Sequence, residues 1–153
     1  MLAFIAKGLE YKSREVLLQL YRVLVRPHLE YCVQFWSPYL RKDVVALGTV
    51  QRRFTRLILG MKGLTYEERL NSLGLYSLEF RRMRGDLIEI YKILKGIDKV
   101  NADQMFPLMG RSTTRGHRYR LRGSGFKTEM RGKYFSQRVV NLWNSLPQWS
   151  LNH

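Results

Sequence analysis

A single cysteine, Cys32, stands among 153 residues. An internal disulfide is therefore excluded. One thiol and three histidines scattered at 28, 117 and 153 do not build a zinc finger or knuckle. Cys32 lies within Leu29-Glu-Tyr-Cys-Val-Gln-Phe-Trp (29–36) and reads as a small core residue rather than a nucleophile. No apolar run approaches the roughly 18 to 20 residues that span a bilayer, so no membrane partner is expected. The opening Met1–Ala6 is apolar, but Lys7 follows it and no small-residue cleavage site is evident. It does not read as a signal peptide, and an intracellular location is the expectation. Acidic residues are scarce, 12 Asp+Glu against 27 Lys+Arg. The aspartates at 43, 86, 98 and 103 are isolated, and no Asp-Asp pair occurs. Glu67 and Glu68 are adjacent, but Glu68 is accounted for by a helix cap. With no paired carboxylates, metal cluster or nucleophile–base set, no enzyme activity, cofactor or metal is expected. Internal repeats and low-complexity tracts are also missing.

What the chain has is charge and helical pattern. Hydrophobic residues make up 45%, enough for a folded core. The net charge is +15, which favours a polyanionic partner. It is concentrated: residues 104–153 hold nine Lys/Arg and one acid, Glu129.

The pattern predicts a mainly α fold. Ser13 is a good N-cap, and Val16, Leu17, Leu20, Val23 and Leu24 then fall at helical spacing. Pro27 should end or kink that helix and can open a second, short one through Tyr31, Phe35 and Trp36. A helix from Lys42 to Leu59 carries Val44, Leu47, Val50, Phe54, Leu57 and Ile58 as its stripe. Thr65 and Glu68 form a capping box, and a short helix follows to Gly74. Ser77 caps the longest pattern, with Phe80, Met83, Leu87, Ile90, Tyr91 and Leu94 on one face and Gly96 as its stop. Arg118–Leu121 and Phe126–Thr128 read as extended, and Gly123-Ser124-Gly125 can turn a short β-hairpin between them. A last helix covers Lys133–Asn144, with Phe135, Val139, Leu142, Trp143 and Leu146 apolar, and Pro147 ends it. The expected organisation is a helical bundle over 1–96, and a basic loop or hairpin plus terminal helix over 97–153 packed on the same bundle.

Three groups of cations are candidate phosphate contacts. Arg52, Arg53 and Arg56 lie opposite an apolar stripe, where guanidinium forks suit phosphate oxygens. Arg81, Arg82 and Arg84 sit early in the long helix against its macrodipole, a placement that suggests use. The run Arg115-Gly-His-Arg-Tyr-Arg-Leu-Arg (115–122) is the strongest. On a strand, Arg118, Arg120 and Arg122 point one way, and Tyr119 and Leu121 pack the other. His117 is a further phosphate candidate, and Lys127, Arg131 and Lys133 extend the group. Nothing marks a groove-reading motif, so binding without sequence preference is expected.

Five segments, in order, carry a resemblance. They are Tyr21-Arg-Val-Leu-Val-Arg-Pro-His-Leu-Glu-Tyr-Cys (21–32), Val50-Gln-Arg-Arg-Phe-Thr-Arg (50–56) and Tyr66-Glu-Glu-Arg-Leu (66–70). The others are Arg81-Arg-Met-Arg-Gly-Asp-Leu-Ile-Glu-Ile-Tyr-Lys-Ile-Leu-Lys-Gly (81–96) and Phe135-Ser-Gln-Arg-Val-Val-Asn-Leu-Trp-Asn-Ser-Leu-Pro (135–147). Together, over about residues 7 to 147, they resemble the region after the polymerase core of non-LTR, LINE-type retrotransposon reverse transcriptases. The resemblance implies a helical thumb and post-thumb segment that holds a template–primer duplex. The family's Tyr/Phe-x-Asp-Asp turn, which holds the metal ions of polymerisation, has no counterpart here. Its endonuclease residues and cysteine–histidine knuckle are also missing. The expectation is therefore a non-catalytic fragment binding RNA or an RNA–DNA hybrid. The alternatives are a protein-interaction scaffold that self-associates through exposed apolar surface, and a non-functional remnant of a 5′-truncated element.

Overall fold

A computed structural model describes residues 7–8, 13–110 and 117–151. The fold is mainly helical, as the pattern predicts, and no strand forms among the described residues. Internal contacts group the chain into two units, 1–83 and 84–153.

In the first unit, the Ser13 hydroxyl accepts the Val16 N–H and starts α1, Arg14–Leu20. Leu17, Tyr21 and Val25 are buried, whereas Val16, Val23 and Leu24 are exposed. The buried line is thus rotated from the expected stripe. Tyr21 decides the rotation: its ring stacks on Phe54 at 4.4 Å between centroids, burying more apolar area than either valine would. Pro27 does not end the helix. Tyr21–Val25 forms a wide π turn in which the Arg26 N–H reaches back five residues to the Tyr21 carbonyl, and α2, Arg26–Glu30, continues. The wider turn gives room for a proline ring that donates no hydrogen bond.

α2 stops at Tyr31, and Cys32 takes a left-handed φ of 50° before the single turn of α3, Val33–Trp36. The expected core cysteine is therefore a half-buried corner residue. A left-handed non-glycine residue costs about 1–2 kcal/mol. Buried Val33, just beyond the corner, anchors the turn and offsets that cost. α4, Arg41–Leu57, buries Phe54 and, just past its end, Ile58. The Thr65–Glu68 capping box forms and opens α5, Tyr66–Leu73. Gly74, at φ 60°, closes it: the Leu75 N–H reaches the Leu70 carbonyl. The core of this unit is Leu17, Tyr21, Val25, Phe54, Ile58, Met61 and Leu73.

α6, Leu78–Leu94, supplies residues to both units. Ser77 caps it, and the Ile97 N–H closes its end on the Lys92 carbonyl around Gly96. Its buried line is Leu78, Arg82, Asp86, Ile90 and Ile93, while Phe80 and Met83 are exposed. Two charged residues in the middle of that line hide it from a count of apolar spacing.

In the second unit, the core is Ile90, Ile93, Phe106, Leu121, Val139, Val140, Trp143 and Leu151. Short helices surround it: α7, Ala102–Met105; α8, Glu129–Gly132; α9, Phe135–Arg138; and α10, Val140–Asn144. A 3-10 turn, Gln148–Leu151, follows. The expected last helix is thus interrupted at Val139. The hairpin through Gly123–Gly125 does not form among the described residues. Leu121 instead bridges antiparallel to Leu108. No helix among the described residues is long and apolar enough to cross a membrane.

Candidate nucleic-acid interface

The basic run is laid against the end of the chain. The Trp143 indole N–H donates to the Tyr119 carbonyl at 2.8 Å, and the Arg118 N–H donates to Gln148 Oε1 at 3.1 Å. The Asn144 carboxamide takes both backbone groups of Leu121: Oδ1 accepts its N–H at 2.8 Å, and Nδ2 donates to its carbonyl at 2.9 Å. On the other edge, the Met109 N–H donates to the Arg120 carbonyl, and the Arg122 N–H donates to the Pro107 carbonyl. Asn144 therefore acts as a one-residue strand partner. With both edges taken, Leu121 has no backbone group left for Phe126–Thr128, which explains the missing hairpin.

Leu121 points into the core at 1% exposure, with Arg122 exposed and Arg120 half-buried beside it. Leu121 and Arg122 thus follow the predicted alternation, whereas Arg120 does not stand free of the fold: its Nε is buried. Tyr119, half-buried, packs against the core as expected, and two cations also reach its ring, Lys95 at 5.0 Å and Arg118 at 4.9 Å from the centroid. The Lys95 ammonium reaches its hydroxyl at 3.4 Å. That bond, with the nearby Arg118, holds the phenol below its ordinary pKa.

His117 is not a surface cation. It is 3% exposed, its ring meets Trp143 edge-on at 5.8 Å, and Nε2 lies 3.0 Å from the Trp143 carbonyl. A carbonyl only accepts, so Nε2 carries the proton. His117 is a strut under the segment. Arg115 lies outside the described residues. Lys127, Arg131 and Lys133 are exposed, Arg131 over the Tyr134 ring at 5.1 Å and Lys133 3.8 Å from Glu129.

The group at 81–84 separates. Arg81 is paired with Glu30, one bond at 2.9 Å, and that hydrogen bonding raises its pKa. Arg82 is 5% exposed and lies on the buried line of α6. Arg84 is exposed. On α4, Arg52, Arg53 and Arg56 are all exposed as expected, with Arg52 resting 4.7 Å above the Tyr66 ring.

Two amides organise these surfaces without having been singled out in the sequence. Asn144 is one. Gln51 is the other: buried at 1%, it donates to the Tyr76 carbonyl and accepts from the Tyr66 hydroxyl and the Leu78 N–H. It thereby positions the ring under Arg52 and caps α6. Its spacing was a signal, since Gln51 stands three residues before buried Phe54 and seven before Ile58. Among the described residues, no three His, Cys, Asp or Glu side chains gather as metal ligands would. Comparison with protein-family models, with curated proteins and with solved structures finds no match to this chain.

Proposed function

We propose that this chain is a non-catalytic, thumb-like piece of a retrotransposon RNA-directed DNA polymerase that holds template–primer nucleic acid through phosphates. The observation that carries the reading is the pinned segment 118–122. Its backbone is fixed by Trp143, Asn144 and Gln148, so exposed Arg118 and Arg122 stand on a rigid support. A cation held in place loses less conformational entropy on binding than one on a free loop. Lys95 joins Arg118 around Tyr119, and the net charge of +15 supplies the long-range attraction. The five segments resembling the post-catalytic region of LINE-type reverse transcriptases give the polymerase context. The contacts described are suited to a backbone rather than to base edges.

The test is affinity of the folded chain for an RNA–DNA hybrid duplex over a salt series. Phosphate contacts make log K fall linearly with log salt, with a slope of about −0.9 per contact on B-DNA. A slope of several units supports the reading. No binding at low salt by a folded chain rejects it. The alternative of a self-associating scaffold draws on the exposed aromatics near residue 35, and a salt-insensitive oligomer that ignores nucleic acid would favour it.

A further inference from the structure

The corner at 31–39 is hard to explain as folded-state packing. Tyr31 is 75% exposed, Phe35 91%, Trp36 39% and Tyr39 52%. Four aromatic rings in nine residues thus remain open to solvent while Val33 between them is buried at 4%. The corner is built: Cys32 holds a left-handed φ, the Ser37 N–H closes on the Val33 carbonyl at 2.9 Å, and the Trp36 indole N–H donates to the Tyr31 carbonyl. That last bond fixes the Trp36 ring relative to Tyr31. Exposed Arg41 and Lys42 follow directly, with Asp43 the acid beside them, and Glu30 before the corner is paired to Arg81.

We infer that this corner is a stacking platform for unpaired bases of a single-stranded nucleic acid, with Phe35 as its principal ring. The charge selects the occupant. A second copy would bring +15 against +15, whereas a single strand brings flat apolar faces together with the anionic backbone that Arg41 and Lys42 match. Aromatic rings beside cations are the combination that binds single strands without reading sequence. The inference rests on the nucleic-acid reading above but concerns a different surface and the bases rather than the phosphates.

The experiment compares a fluorescein-labelled oligothymidylate with an abasic oligomer of equal length, by anisotropy, on the whole chain. The abasic strand keeps the phosphates and has no stacking faces. The expected result is tighter binding of the oligothymidylate by about ten-fold or more. Phe35→Ala should remove most of that preference and leave the salt slope, about −0.7 per phosphate contact on single strands, unchanged. Phe35→Trp should keep it. Because Phe35 is 91% exposed, the alanine variant should melt as the parent does. Equal affinity for the two strands, or a preference unaltered in Phe35→Ala, overturns the platform while leaving phosphate binding intact. An oligomer that Phe35→Ala dissolves, with no base preference, also overturns it and points to a second copy. Failure to bind either strand or the hybrid duplex rejects the nucleic-acid reading itself.

Discussion

Replacing Asn144 by alanine tests the clamp that presents the basic segment. The carboxamide makes two hydrogen bonds, at 2.8 and 2.9 Å, to the backbone of Leu121, a residue only 1% exposed. In the alanine variant the Leu121 N–H and carbonyl are both left without these partners. A buried polar group left unpaired costs about 1–3 kcal/mol. These bonds are partly buried and water can reach part of the gap, so the lower half of the range applies to each group, about 2–4 kcal/mol for the two. For a chain of this size that is a fall in Tm of roughly 4–16 °C. Urea unfolding read by far-ultraviolet circular dichroism, together with hydrogen exchange at the Leu121 amide, measures it. The Leu121 amide should lose protection ahead of the Ile90 and Ile93 amides. A stability change under about 0.5 kcal/mol with Leu121 protection unchanged would refute the clamp. Trp143→Phe is a companion test: it removes the bond to the Tyr119 carbonyl and leaves a gap in the core, where Trp143 is 1% exposed, and should cost about 2–3 kcal/mol.

Further outcomes follow from single side chains. Tyr21→Phe removes a hydroxyl that is buried without a hydrogen-bond partner among the described residues, so stability should hold or rise by up to about 1 kcal/mol in denaturant unfolding, and a loss beyond that would contradict it. Thr65→Ala deletes a helix cap and should cost about 1 kcal/mol. Glu68, held below its ordinary pKa by the Thr65 hydroxyl and then by the Thr65 N–H, stabilises the fold at neutral pH. That contribution is lost as pH falls below about 4.3 and through the lowered folded value, and Glu68→Gln should flatten this acid limb of the stability curve. Lys95→Met should return the Tyr119 phenol toward its ordinary range in an ultraviolet pH titration, and an unchanged titration would mean that the Lys95 contact is not maintained.

The helices were legible where local chemistry decides them. Ser13, the Thr65–Glu68 box, Ser77, Gly74 and Gly96 each act within a few residues, and each appears as the pattern predicts. Faces were harder to read wherever polar groups are buried. Asp86 and Gln51 lie on buried lines because the carboxylate and the amide find partners far along the chain, as Asp86 does with Arg138 at 3.0 Å and Gln51 with Tyr66 and Tyr76. Apolar spacing cannot show a partner fifty residues away. The same limit hid His117 as a strut under Trp143 and Asn144 as the partner of Leu121. The hairpin expectation failed because a side-chain amide and residues 107–109 took the backbone groups that a second strand would need. Pro27 lies in the first turn of a short helix, as a proline can, but the helix before it runs on into that turn through a π turn, which no residue pattern announces.

The most direct test of the account is the salt slope of hybrid-duplex binding in an Arg118→Gln/Arg122→Gln double variant, both positions being exposed and outside the core. If these two cations neutralise phosphates, the slope should become shallower by about 1.8, that is about 0.9 for each of the two phosphates no longer neutralised, with unfolding unchanged. A slope equal to the parent's, in a variant that folds as the parent does, would contradict phosphate binding by the pinned segment.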